Sequence, residues 1–426
     1  MKAWIMIGIL LLSIGSIQGQ PPAPASNAWM TDEERAQYET LRRNGIEALY
    51  NLDYEKARRE FSQIRQLYPN HPAGYQLLAA SVWIKTLYQS RRLQTSLYSR
   101  SDAFYTKGDD KVDPKIITEF RNLTRESRRL AEARLKTNPK DVEALDFLAA
   151  TAGLKASFEE AVERRHFAAL RDGNEAVDRH REVLKLDPTW VDAHLTIGLY
   201  EYVVGSLPLP IKLVAGITGF RGSKKKGLAS LERVAREGRW SSDDAKSLLI
   251  LLYKRERRYA DAIKVARELT AKYPRNYLLR LELADALVSE AAHQRKNRNL
   301  ELAQKAEEEA FHSFDELLRD KSARETVSRA LDLVHFKYGE VLLTAGKVDR
   351  AANEFLAVTR ISGADPTLVT LSHLNAGRAL DLAGRREQAM VHYRQVLNRP
   401  DIYDAHDDAK KGLSKPYKSE VLVAGS

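Results

Sequence analysis

Few residues in this chain are spaced for chemistry. The stretch DIYDAHDDAKK, from Asp401 to Lys411, gathers Asp401, Asp404, His406, Asp407 and Asp408. Such a set could hold a hard cation, which takes several oxygen ligands. It equally suits the first turn of a final capping helix, where carboxylates meet the positive end of the helix dipole, and we adopt that reading. In GITGFRGSK, Gly216 to Lys224, the glycines fall at the wrong intervals for a phosphate-cradling loop. The chain has no cysteine to serve as nucleophile or soft metal ligand, and no HExxH, GxSxG or EF-hand pattern. Its ten histidines are otherwise isolated. The sequence thus specifies no catalytic residue, no cofactor and no metal, and points to binding. The alternative is an all-helical enzyme, a lyase or hydrolase with its pocket inside the helices.

One segment invites a partner. VVGSLPLPIKLVAGITGF, Val203 to Phe220, holds a single charge, Lys212, and is followed by Lys224, Lys225 and Lys226. Pro208 and Pro210 forbid one continuous helix, and the run is too short and too interrupted to span a bilayer. Its apolar side chains need a cover, either the protein's own helices or a partner or anionic membrane surface. Leu207, Leu209, Ile211 and Phe220 with the three lysines are therefore the candidate contact residues.

The elements that must carry such a site are helices. With 43% hydrophobic and 30% charged residues over 426 positions, the chain is a folded globular type. Residues 1–19 read as an export signal, with Lys2, an apolar stretch and small residues before Gly19. Residues 20–30 read as a proline- and alanine-rich linker. Loss of Lys2 with the signal would take the net charge from +10 to +9. The basic pairs are scattered among acids at helical spacing, which reads as a solvated face; with export, this sets nucleic acid aside as a partner. The expected setting is the periplasm or cell envelope, and the oligomeric state is not specified.

A repeat organises the rest. Gly45 is followed by Tyr54, Ala57, Phe61 and Pro69 at +9, +12, +16 and +24, the spacing of a tetratricopeptide repeat. Small residues sit where helices A and B approach, Tyr54 and Phe61 fill the space between them, and proline ends helix B. The frame returns at Gly339, Ala351 and Phe355, and at Gly377, Ala389 and Tyr393. Ala262 and Pro274, Ala176 and Pro188 with Gly198 following, and Pro139 with Ala149 mark further units, at least six in all. Uneven spacing predicts long helices or inserts, among them one long helix from Val142 to Asp172 and an aromatic stretch with Trp83, Tyr88, Tyr98, Phe104 and Tyr105 read as core. The expected fold is all-α: a tetratricopeptide-type right-handed α-solenoid over residues 31–412, with an apolar insert at 203–226 and a flexible tail at 413–426.

Leu207-Pro208, Gly219-Phe220-Arg221-Gly222, and Gly227-Leu228 with Leu231-Glu232 resemble the hinge, turn and helix start of a eukaryotic tetratricopeptide family. That family contains the inclusion-body-clearance protein and the thirty-nine series. The resemblance covers about residues 195–255 and implies a non-enzymatic adaptor. An export signal departs from that family, so its cellular roles do not carry over. The function expected is an exported scaffold that binds a protein or peptide, at or near a membrane surface.

Overall fold

The computed structural model describes residues 29–90, 112–207, 222–319, 327–328 and 330–418. Among these residues there are seventeen α-helices and no strand. The chain divides into unit 1, Met1–Gln94 with Asp110–Leu252, and unit 2, Thr95–Asp109 with Tyr253–Ser426.

Unit 1 contains four helical hairpins: α1 (Asp32–Tyr50) with α2 (Tyr54–Leu67), α3 (Pro72–Gln89) with α4 (Pro114–Thr137), α5 (Val142–Phe158) with α6 (His166–Leu186), and α7 (His194–Gly205) with α8 (Lys224–Glu237). Helix α9 (Ser242–Arg255) follows. The first helix of each hairpin is more buried than the second. In α5, 15 of 17 residues are buried and in α3, 14 of 18, against 6 of 24 in α4 and 3 of 14 in α8. Such a helix is apolar all round because neighbours cover it on every side, whereas the outer helices carry one apolar stripe.

Unit 2 repeats the plan with α10 (Tyr259–Lys272), α11 (Tyr277–Lys296), α12 (Leu300–Arg319), α13 (Leu331–Thr344), α14 (Val348–Arg360), α15 (Pro366–Leu382), α16 (Arg386–Leu397) and α17 (Ala405–Ser414). Helix starts are written in the sequence. Thr31 and Glu34 form a capping box, Asp53, Asp141 and Asn276 cap with their side chains, and Asp113 and Asp365 cap helices whose first residue is proline.

Five of the described turns between helices share one construction. Leu52, Arg257, Arg298, Gly346 and Gly384 adopt left-handed backbone. In each case the next N–H donates to the carbonyl five residues back: Asp53 to Ala48, Arg258 to Tyr253, Asn299 to Gln294, Lys347 to Leu342 and Arg385 to Leu380, at 2.8–2.9 Å. This is the Schellman closure, which satisfies carbonyls left over at a helix end. Only two of the five positions hold the glycine that the conformation favours.

The repeat spacing has a steric basis. A Cβ at Gly45 would lie 2.2 Å from Phe61, at Gly339 2.6 Å from Phe355, and at Gly377 2.6 Å from Tyr393. Ala57, Ala262, Ala351 and Ala389 are fully buried, and Pro69 and Pro274 follow the ends of α2 and α10. In the fourth hairpin the helices come closer still, since a Cβ on Gly198 would sit 3.0 Å from the Gly227 carbonyl.

The Tyr54 ring reaches beyond its own hairpin to Tyr88 of the next, at 5.2 Å. Three expectations change. Val142 to Asp172 is not one helix: a π-turn at Glu159–Glu163 and left-handed Arg164 separate α5 from α6. There the Arg165 N–H reaches back to the Glu159 carbonyl at 2.8 Å, and buried Phe158 stacks on Phe120 at 3.8 Å. Trp29 and Met30, assigned to the linker, are packed, Met30 buried and Trp29 against His71 and Phe147. The helical body passes residue 412: α17 runs to Ser414, and the Tyr417 N–H donates to Asp381. Trp83 is buried as core, while Tyr98, Phe104 and Tyr105 lie outside the described residues.

Two stability measurements test this. Phe61→Ala should cost about 3–5 kcal/mol. Arg58→Ala, which removes one exposed pair with Glu119, should cost no more than about 1 kcal/mol; equal melting shifts would refute the register. Arg298→Gly should raise stability by about 0.5–1 kcal/mol, and Gly384→Ala should lower it by at least as much.

Candidate functional site

Buried side chains tie the first helix of unit 1 to its last. Arg42 of α1 is 1% exposed, and its guanidinium lies 3.7 Å from the Trp240 ring centroid, with Tyr38 beyond at 6.0 Å. Burial pulls its pKa down, while Tyr38, Asp192, Asp146 and Glu143 work against that. Asp192 accepts from three successive backbone N–H groups, those of Arg239 (3.2 Å), Trp240 (3.1 Å) and Ser241 (2.7 Å). Asp146 accepts from Trp190 Nε1 at 2.9 Å. Arg239 pairs with Glu39 at 2.8 Å, and the Tyr50 hydroxyl donates to Asp244. Side chains nearly 200 positions apart therefore tie α1 to the start of α9. No sequence signal announces a pairing at that separation.

Two titratable groups report the dryness of this face. Burial drives His71 below its ordinary pKa; its Nδ1 accepts from the Ala73 N–H, leaving Nε2 3.7 Å from Glu143. Burial pushes the Asp244 carboxyl well above its ordinary value, against the hydrogen bond from Tyr50.

An open apolar site lies instead between α6 and α7. Leu170, Asn174 and Val177 of α6 face Thr196, Leu199, Tyr200, Val203 and Val204 of α7 across a floor of Gly153 and Gly173. The groove encloses about 440 Å³, counting the part open to solvent. A Cβ at Gly173 would touch only Ala156, at 3.8 Å, so the glycine leaves room. The Thr196 hydroxyl is buried without a hydrogen-bond partner, and Arg181 lies over the Tyr200 ring at 5.7 Å. One turn beyond Leu170, at the start of α6, Phe167 is 87% exposed.

The tetratricopeptide-repeat family matches residues 46–71. Those residues are a tetratricopeptide repeat. Outside that match, the same glycine–aromatic contact recurs at Gly339 with Phe355 and at Gly377 with Tyr393. The search of curated proteins finds no match. Among solved structures, the human IFIT1 dimer with PPP-AAAA is 14% identical, covering 91% of this chain and 86% of that one, with a TM-score of 0.43. TTC0263, a thermophilic tetratricopeptide protein of Thermus thermophilus, is 16% identical over 59% of this chain and 99% of its own, TM-score 0.33. Yeast Tom70 is 13% identical over 89% and 96%, TM-score 0.31. At these scores the fold rests on this chain's own hairpin geometry, and no ligand carries over. The matched repeat does not reach residues 195–255, where the narrower family resemblance lies.

The tetratricopeptide frame places the remaining candidates. Val203, Val204 and Leu207 are buried, Leu207 at 5% exposure, so the apolar run begins as core and Leu207 is not an exposed contact. Leu209, Ile211 and Phe220 lie outside the described residues. Lys224, Lys225 and Lys226 open α8 and are exposed. Of the acidic cluster, Asp401 accepts from the His406 N–H in the first turn of α17, Asp404 precedes α17 without capping it through its side chain, and Asp408 pairs with Arg378 and Lys411. Sequence reasoning missed Phe167 and the α6 stripe. Their signal was present as Phe167, Leu170, Asn174 and Val177 at helical spacing, hidden by treating 142–172 as one helix.

Asp244→Asn gives a pH-dependent test. A carboxyl whose pKa is raised by folding makes folding take up a proton, so stability falls as pH rises above the unfolded value of 3.8. The asparagine variant should therefore gain on the wild type between pH 4 and pH 8, measured as melting midpoints across about that range. A gain that shrinks with rising pH would mean Asp244 is ionised in the fold.

Proposed function

We propose that the protein is an exported, non-enzymatic tetratricopeptide scaffold that binds a protein or peptide partner in the cell envelope. The observation that carries this reading is the α6–α7 groove, an apolar slot with an exposed Phe167 one turn away on α6. Repeat proteins of this kind present surfaces rather than reaction centres, and apolar slots with few polar points are what side-chain anchors enter. The binding reading is favoured over a helical enzyme because the buried carboxylates are engaged in the fold. Asp192 holds three backbone N–H groups, Asp146 holds Trp190, and Asp381 holds Arg386, the Tyr393 hydroxyl and the Tyr417 N–H.

Export rests on the sequence of residues 1–19. Nucleic acid is set aside as a partner on that basis and on the scatter of the basic pairs among acids, so binding should be assayed with and without nuclease. The test is recovery of tagged protein from its native envelope. The expected N-terminus is Gln20 or within a few residues of it, with a nuclease-resistant protein partner retained by the wild type and lost at least about tenfold from Leu170→Glu, since a charge in a hot-spot pocket costs about 2 kcal/mol or more. Recovery of intact Met1 would sink the export reading, and equal retention by Leu170→Glu would sink the groove.

A further inference from the structure

We propose that His373 and His392 form a two-imidazole site for a divalent transition-metal cation, with Zn²⁺ or Cu²⁺ held between their Nδ1 atoms across the α15–α16 hairpin. The sequence keeps these histidines 19 positions apart, and the hairpin brings them together. His373 lies one helical turn before Gly377, and His392 immediately precedes Tyr393. The missing Cβ at Gly377 lets α15 approach the Tyr393 ring, and residues one turn apart share a helix face. The same close approach therefore sets the two imidazoles against each other. Their Nδ1 atoms are 3.2 Å apart, with the ring centroids at 5.4 Å and the planes at 22°. The centroids lie farther apart than the nitrogens, so the Nδ1 edges face. Two nitrogens bound to one tetrahedral zinc at about 2.0–2.1 Å stand about 3.3–3.4 Å apart. The pair already holds the bite of a chelate.

The preceding hairpin has the same frame and a different pair. His335, one turn before Gly339, faces Glu354, which precedes Phe355, at 2.7 Å. There a carboxylate partners the imidazole. In α15–α16 a second imidazole stands in the carboxylate's place, and two neutral rings can share only one proton, one Nδ1 donating and the other accepting. A metal takes both lone pairs instead, with the proton of each ring on Nε2. Burial holds both histidines below their ordinary range, His373 at about 4, where His392 and Arg399 add to the effect. Near neutral pH both are thus in the uncharged form that a metal requires. Both residues are only partly buried, which leaves a side from which water can complete the coordination. Arg399, held to Thr370 Oγ1 at 3.1 Å, opposes a cation at His373, and neutral nitrogens do not offset it by charge. Binding must come from the nitrogen–metal bonds, which favours Cu²⁺ over Zn²⁺ and both over the oxygen-seeking Mg²⁺ and Ca²⁺.

The site belongs to unit 2 and does not depend on the α6–α7 groove or on the scaffold reading. The test is titration of the untagged chain with zinc alone, followed by calorimetry and by the nitrogen-15 resonances of the histidine rings. One zinc should bind tightly per chain, copper more tightly, and magnesium should not compete. The Nδ1 resonances of both His373 and His392 should move. His373→Gln and His392→Gln should each weaken binding about a hundredfold or more, since loss of one donor ends the chelate. His312→Gln, at an exposed histidine of α12, should leave it unchanged. Far-ultraviolet spectra without metal, matching the wild type, confirm that the variants fold. Free zinc about a hundredfold above its Kd should raise the wild-type melting midpoint by about 5 °C or more and leave that of His373→Gln in place. A wild type that binds no zinc, variants at both histidines that bind as tightly as the wild type, or shifts confined to Nε2 would overturn the proposal.

Discussion

The stacking of Arg42 on Trp240 is the contact on which unit 1 depends. A guanidinium cannot shed its charge, so its removal from water is tolerated only where carboxylates and an aromatic face replace the solvent. Asp146, Asp192 and Glu143 supply the charge and Trp240 the face. Asp192 then does a second job by holding the backbone N–H groups of residues 239–241, which presents Trp240 to Arg42. First helix, fourth hairpin and the start of α9 are thereby parts of one buried polar network.

Unit 2 uses the same means with different residues. Lys254 is held between Glu282 and Asp285, and Lys337 pairs with Glu340 at 2.6 Å. Burial opposes both ammonium charges, yet the neighbouring carboxylates keep their pKa values above the ordinary lysine range. At the C-terminal end Asp381, with no exposed side-chain surface, gathers Arg386, Tyr393 and the Tyr417 backbone. Buried charges joining one inner helix to the next give each unit a register that apolar packing alone would leave degenerate.

Much of the fold was legible because its rules are local. Gly45 and Phe61 meet across a turn fixed in length, so their spacing survives in the sequence, as it does at Gly339 with Phe355 and Gly377 with Tyr393. Turns were harder, since Leu52, Arg257 and Arg298 occupy a backbone conformation that their types do not advertise. The break at Arg164 was illegible for the same reason: apolar periodicity continues through Phe158 and Val162 although the helix does not. What the sequence could least convey was the site. Phe167 acquires meaning only once α6 is known to start at His166 and to line the groove from Leu170 on, and the Arg42–Trp240 stack depends on two residues 198 positions apart.

That separation bears on how the protein is made. Repeat arrays ordinarily gain structure unit by unit, each hairpin resting on the one before. Here the first hairpin contains a cation whose aromatic cover is synthesised last in its unit. During translation, α1 would hold an unstacked arginine until Trp240 had left the ribosome. The early hairpins thus cannot reach their final packing alone, and the unit closes as a single late event, more like a ring being latched than a column being stacked.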